Sequence, residues 1–214
     1  MTDVWSARAE AFRSSAAHRE GPDLDRLVEW AEPGEGVTAL DVATGGGHVA
    51  RRLRERGCNV VSVDPAPGMQ PTVVARAEDL PFADASFDVV ACRIAAHHFD
   101  DVRAAVLEMA RVSRDRVLIE DNLFTSDEFE QAERLHDPTH LRCYSEEQWR
   151  GLFGEAGLEV DASEIFERWL VVEEWLSRTE TPDDDAARIH ELLADRTVDG
   201  RLMFRSLLLR GRKT

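Results

Sequence analysis

Three consecutive glycines interrupt the stretch LDVATGGGHVARRL (residues 40–53), between an apolar run and a run of helical spacing. Gly45, Gly46 and Gly47 permit positive φ and a close approach of backbone to ligand, and the following helix presents unpaired N–H groups. The surrounding pattern repeats this alternation. TALDVA (38–43), NVVSVD (59–64), TVVA (72–75), FDVVACR (87–93) and RVLIED (116–121) read as five strands, apolar enough to be buried on both faces. Leu24, Leu27, Val28 and Ala31 stand at i, i+3, i+4 and i+7, and further helices are expected over 48–56 and 101–112. Buried strands that alternate with helices predict a parallel sheet covered on both faces, doubly wound through right-handed crossovers.

The C-terminal part reads differently. Thr125–Glu128 and Ser145–Gln148 have capping-box form and should open helices. Thr181 before Pro182 predicts another helix over 183–195, while residues 158–170 and 203–211 look like strands. The expected fold is therefore α/β: a doubly wound, mostly parallel seven-stranded Rossmann-like sheet with an antiparallel C-terminal strand pair and a helical cap. The chain reads as one domain (1–214), with an N-terminal helical lid (1–35), a ligand-binding core (36–122) and pocket helices with the last strands (123–214). In such a sheet the ligand crevice lies at the C-terminal strand ends. Thr44–His48, Asp64, Arg76–Asp79, Arg93–His98 and Asp121 all fall there.

The formal net charge of −16, with Lys213 the single lysine, argues against nucleic acid and anionic membrane surfaces as partners. Cys58, Cys92 and Cys143 are widely spaced, as expected of free thiols in a reducing compartment. No apolar run is long enough to span a bilayer, and MTDVWSARAEAF lacks a signal-peptide core. A cytoplasmic location is expected.

A glycine turn of this kind suits a dinucleotide or S-adenosylmethionine (SAM). Gly45-x-Gly47 followed by Ala50 permits the dinucleotide spacing. Asp41, in the strand before the turn, would oppose a pyrophosphate and favour a cationic ligand; SAM carries a sulfonium and an ammonium. Asp41-x-Ala43-x-Gly45-x-Gly47 resembles the first motif of class I SAM-dependent methyltransferases. AEDLPFADASFDVV (77–90), CRIAAHHF (92–99), HREGPDLDRLVEWA (18–31) and HDPTHLRCYSEEQW (136–149) extend the resemblance to the type 11, ubiquinone/menaquinone-biosynthesis-like family, in a bacterial small-molecule branch. The resemblance implies a SAM-dependent transferase acting on a small organic acceptor. It assigns Asp41, Ala43, Thr44, Gly45 and Gly47 to the methionine part of the cofactor and Asp64 to the ribose. Met69, Ala77 and Glu78 fall to the adenine, and Arg93 to the amino-acid moiety and acceptor mouth.

Three features depart from that family. Ala43 replaces its usual first glycine, Arg76 replaces a common aspartate, and only PAPGMQP (65–71) stands where relatives have a helix. The sheet face this leaves open is a candidate surface for a homodimer. A non-catalytic binding protein on the same fold, or an NAD-dependent oxidoreductase, are the competing readings.

Methyl transfer is an in-line displacement that needs the acceptor held close in a dry pocket, with a base only for protonated acceptors. His97 and His98, after the fourth strand, are the candidate bases, and His18, His140, Arg142 and Tyr144 are candidate substrate contacts. His136-x3-His140-x2-Cys143 has ligand-type residues, but Pro138 breaks a helical presentation and no fourth ligand lies nearby, so no metal is expected. Phe166, Trp169 and Trp175 either line the acceptor pocket or fill the C-terminal core.

Overall fold

The computed structural model describes residues 2–14 and 19–213. Among these, eight strands and eight α-helices follow in the order α1 (Thr2–Ser14), α2 (Pro22–Trp30), β1 (Thr38–Val42), α3 (His48–Glu55), β2 (Asn59–Asp64), β3 (Val73–Val74), β4 (Phe87–Arg93), α4 (Val102–Val112), β5 (Ser113–Asn122), α5 (Asp127–His136), α6 (Glu146–Glu155), β6 (Leu158–Val171), α7 (Val172–Ser177), α8 (Asp183–Leu192), β7 (Thr197–Val198) and β8 (Arg201–Lys213). They form one sheet in the order β3-β2-β1-β4-β5-β8-β6, with β7 paired to β8. The first five strands run parallel, and β8 enters antiparallel between β5 and β6. The doubly wound α/β reading holds; the strand it missed is β7, a two-residue hairpin partner.

Alternate residues of the central strands face opposite layers. Val90 and Cys92 of β4 join Leu40, Val117 and Ile119 against α4 and α6, where Trp149 and Phe153 are fully enclosed. Val89 and Ala91 join Ala39 and Leu118 against α2 and α3, beneath Leu24, Leu27, Val28 and Leu53. This continuous double-sided burial explains the unbroken apolar strands read in the sequence.

A third cluster ties the C-terminal elements together through Phe129, Trp175, Ile189, Leu202 and Phe204. Trp175 is therefore a core residue. Phe166 packs on the second layer and Trp169 is 50% exposed.

Local chemistry sets the helix ends. Ser145 and Gln148 form the expected reciprocal capping box. The expected box at Thr125 shifts by one residue: Ser126 is the cap and accepts from the Phe129 amide, so α5 starts at Asp127. Pro182, with extended ψ, occupies the cap of α8 in place of Thr181, and α8 ends at Leu192. The segment after β2 forms only a 3₁₀ turn, Pro67–Met69. Helix α1 packs on that turn: Ala9 with Ala66 and Met69, flanked by Trp5 and Phe12.

Candidate active site

The glycine turn connects β1 to α3. Ala43, Gly45 and Gly47 take φ of 54°, 50° and 75°. The left-handed region suits glycine, so Ala43 holds the turn under strain. The Thr44 amide donates to the Val63 carbonyl (2.9 Å), pinning the turn to β2.

Asp41 is buried below the turn. Its Oδ2 accepts from the Thr44 hydroxyl (2.5 Å) and the Ala50 amide (3.0 Å), joining the turn to the first turn of α3. Burial, with Asp64 adding repulsion, lifts its pKa to about 6 against the two hydrogen bonds. Asp64 at the end of β2 accepts from the Gly45 amide (3.0 Å) and the Ala66 amide (2.9 Å), and burial raises its pKa too. Two desolvated carboxylates thus flank one turn, and both favour a ligand that carries positive charge or hydroxyl donors.

Above them opens a cavity reaching from the glycine turn to the tip of β4. Helix α1 forms its roof through Trp5 and Phe12. The fit is tight: a Cβ on Gly46 would lie 2.8 Å from the Phe12 carbonyl oxygen, and one on Gly68 would lie 2.7 Å from Ser6 Cα. Glycine at these two positions lets the helix close. The Ser6 hydroxyl accepts from the Gly68 amide (3.0 Å), and Arg13 donates to the Gly68 carbonyl (3.2 Å). Arg8 pairs with Asp137 (3.4 Å), linking the roof to the far wall. His18, expected to contact substrate, lies outside the described residues.

Met69, Ala77 and Glu78 line the side where adenine is expected. Glu78 accepts from the Asp100 amide (3.0 Å), and Arg76 bridges Glu78 (3.1 Å) and Asp100 (2.7 Å). Arg76, the family departure, therefore braces two loops of the rim.

Arg93 is locked at the end of β4. Its guanidinium pairs with Glu120 (2.7 Å) and with Asp23 of α2, while Ser206 of β8 donates to Glu120 (2.8 Å). Burial drives the Glu120 pKa up to about 7, opposed by Arg93. The next residue, Ile94, has φ of 50°, a rare conformation for a β-branched side chain, and lines the cavity. Backbone strain thus recurs at the tips of β1 and β4, where side chains are re-aimed at the cavity.

The two adjacent histidines part ways. His98 lines the cavity, its ring 4.6 Å from that of Trp5. Its Nδ1 faces the Thr139 carbonyl (3.0 Å), which places the proton there and leaves Nε2 as the lone-pair nitrogen. Burial and the neighbouring His97 hold its pKa well below the usual value. The His97 ring turns instead to Asp121: Nδ1 lies 2.5 Å from Oδ1, and the backbone amide donates to Oδ2 (2.6 Å). Burial works against its charge, but Asp121 prevails and raises its pKa.

His140, Arg142 and Tyr144 stand behind the wall, which their neighbours Pro138, Thr139 and Leu141 form. His140 is buried between Glu130 and Glu133, and Arg142 lies 4.9 Å over the Tyr144 ring. The Leu141 amide donates to the His97 carbonyl (2.9 Å), so the wall hangs on the tip of β4. Sequence reasoning missed Trp5, Phe12 and Leu141 as lining residues. Trp5, Ala9 and Phe12 do share one helical face by spacing, a signal that was available.

The model of the methyltransferase domain matches residues 40–119. The uncharacterized methyltransferase YcgJ of Bacillus subtilis (strain 168) is 32% identical over 210 residues, covering 86% of this chain and 82% of YcgJ. The crystal structure of YcgJ superposes with a TM-score of 0.81 at 27% identity, over 89% of this chain and 97% of that one. The BH2331 protein of Bacillus halodurans C-125 gives a TM-score of 0.79 at 28% identity, over 90% and 99%. With a strained glycine turn, two flanking carboxylates and this extent of likeness, the chain belongs to the methyltransferase-domain family.

Proposed function

We propose that this protein transfers a methyl group from SAM to a small organic acceptor in the cytoplasm. The observation that carries the reading is the pair of buried carboxylates, Asp41 and Asp64, facing one cavity across a left-handed glycine turn. A cofactor with cationic groups and a ribose diol meets both. A Cβ on Gly47 would find nothing within 4 Å, so the turn leaves room for it. SAM supplies a methyl group activated by its sulfonium charge.

The chain's own residues then position and exclude. Asp64 accepts from the ribose hydroxyls while the Gly45 and Ala66 amides fix its orientation. Asp41 counters positive charge near the turn. Trp5 and Phe12 shut water out from above, and Ile94, Phe99 and Leu141 give the acceptor end an apolar wall. Nε2 of His98 takes the proton of a phenol, enol or amine acceptor, its Nδ1 proton held by Thr139. His97, tied to Asp121 beneath, is the positioning residue of this pair. The net charge and the concave, largely apolar cavity support a small molecule over nucleic acid or a membrane surface.

Calorimetric titration with S-adenosylhomocysteine tests the cofactor. Asp64→Ala should weaken binding by roughly 10- to 100-fold, the loss of one or two hydrogen bonds to a charged acceptor. Absence of binding to folded wild-type protein would refute the reading. With an acceptor found by screening for S-adenosylhomocysteine release, His98→Gln should lower kcat by about 10²- to 10⁴-fold at nearly constant cofactor affinity. Unchanged kcat would remove His98 from the chemistry.

A further inference from the structure

Behind the acceptor wall lies a group of side chains that the proposed reaction does not use. Glu130 and Glu133 come from α5, His140 and Cys143 from the following loop, and all four are buried. Ligand-type atoms of Glu130, His140 and Cys143 lie within 4.8 Å of one another. The sequence hinted at His136 in place of Glu130. In the structure His136 leaves the group, stacking on Trp175 (4.1 Å) with Nδ1 toward the Thr179 hydroxyl (3.0 Å). Glu130, six residues earlier on α5, takes its place through the fold.

Two of the three donor-to-donor spacings approach those of a coordination shell, and the third lies within 4.8 Å. Zinc bonds of about 2.0–2.1 Å to nitrogen and oxygen and 2.3 Å to sulfur set tetrahedral edges of roughly 3.3 Å for N···O and 3.6 Å for S···N. Here His140 Nε2 lies 3.2 Å from Glu130 Oε1 and 4.0 Å from Cys143 Sγ. A movement of a few tenths of an ångström by the sulfur completes that corner. The opposite ring nitrogen, Nδ1, has no hydrogen-bond partner and faces Glu133 Oε2 at 3.6 Å. A carboxylate behind a ligating histidine is the arrangement that orients the ring and raises its basicity.

Charge points the same way. Asp121, Glu130 and Glu133 bring three buried carboxylates to a region whose neighbouring basic side chains are His97, His140 and Arg134. With neutral imidazole, one or the other ring nitrogen of His140 turns a lone pair toward a carboxylate oxygen. A cation between the donors, with the ring proton on Nδ1 toward Glu133, resolves the conflict.

We propose that Glu130, His140 and Cys143 form a structural binding site for a divalent transition metal of zinc type, with Glu133 orienting His140. A second oxygen of Glu130 or a water completes four-coordination. Binding releases the Cys143 thiol proton to solvent. The ion would tie α5 to the 137–143 loop, and through Leu141 to the acceptor wall. This inference is independent of which cofactor fills the main cavity.

The test uses the full-length chain, stripped with a chelator, reloaded with zinc and passed over gel filtration. Metal analysis should return about one zinc per chain, and Cys143→Ser and His140→Gln should each weaken retention by about tenfold or more. Cobalt in place of zinc should give a thiolate-to-cobalt absorption band in wild type that Cys143→Ser lacks. This band reads the sulfur ligand directly, even where a variant is less stable. Wild-type protein retaining below about one-tenth of an equivalent would overturn the proposal. So would equal retention by both variants, the mark of adventitious surface binding, or a cobalt spectrum without the sulfur band, the mark of a protonated His140 ion pair alone.

Discussion

The two ends of the cavity are built by different means. At the turn after β1, the groups that line the cavity are a strained alanine and two carboxylates on adjacent strands, each carboxylate held by backbone N–H donors. At the acceptor end the wall is set by side chains behind it: His97 on Asp121, His140 between Glu130 and Glu133, and Arg8 of the roof on Asp137. The first end depends on local backbone conformation, the second on buried and half-buried ionic contacts between residues up to 129 positions apart. Damage at the first should change affinity with little loss of fold; damage at the second should loosen the fold itself.

Arg93 offers the largest expected effect. It joins the two ends, buried between Asp23 and Glu120 with β8 behind. Arg93→Met leaves two carboxylates desolvated without a cation, a loss of about 3–5 kcal/mol in urea unfolding. Arg103→Ala provides the contrast. Its partner Glu155 is 52% exposed and Arg103 itself 62% exposed, so the change should stay below about 0.5 kcal/mol. Similar losses for the two would mean that Asp23 and Glu120 find other partners, and the contrast between buried and surface pairs would fail.

The same division explains what the sequence made legible. Apolar strands, the glycine turn and Asp41 and Asp64 are contiguous signals with fixed offsets from a strand end, and each lies where its local pattern implied. The C-terminal strand pair was legible because β6 alternates in burial and β8 is apolar at its centre. The roof was not, because Gly46 and Gly68 show their purpose only when Phe12 and Ser6 arrive against them from a distant helix. The partition of His97 and His98 was equally hidden. Adjacent identical residues carry no directional information, and only Asp121, 24 positions on, draws one ring away from the cavity. The capping errors at Thr125 and Thr181 have a smaller cause: Ser126 fits the cap position as well as Thr125, and Pro182 takes the cap position of its helix with no side-chain hydrogen bond.

A pH experiment probes the first end more gently. Asp41 has a pKa raised to about 6 from 3.8. Its neutral form is thus favoured in the fold, and its contribution to stability is full below about pH 4 and lost as pH rises through 6. A cationic ligand selects the ionised form, so cofactor affinity should run the opposite way. With about one-tenth of Asp41 ionised at pH 5 and nine-tenths at pH 7, wild-type affinity for SAM should rise about tenfold across that interval. Asp41→Asn should flatten this dependence while binding more weakly at pH 7. A steep profile surviving in Asp41→Asn would assign the titration elsewhere, with Asp64 the next carboxylate to vary.

The smallest effect is expected at Ala43, and its sign is the informative part. At φ of 54° the side chain strains the turn. Left-handed backbone costs an L-residue about 1–2 kcal/mol, whereas glycine adds roughly 0.5–1 kcal/mol of unfolded-state entropy. Ala43→Gly should therefore stabilise the fold by about 0.5–1 kcal/mol, read as a higher urea midpoint at constant slope. Ala85 has φ of 53° in a loop remote from the glycine turn, with its amide on the Arg111 carbonyl, so Ala85→Gly should give a matching gain. Cofactor affinity then separates the two sites. If the strained alanine stiffens the cradle, Ala43→Gly gains stability and loses affinity, while Ala85→Gly gains stability alone. If both variants bind as wild type, the strain at Ala43 is only tolerated, and the binding end owes its shape to Asp41, Asp64 and the left-handed Gly45 and Gly47.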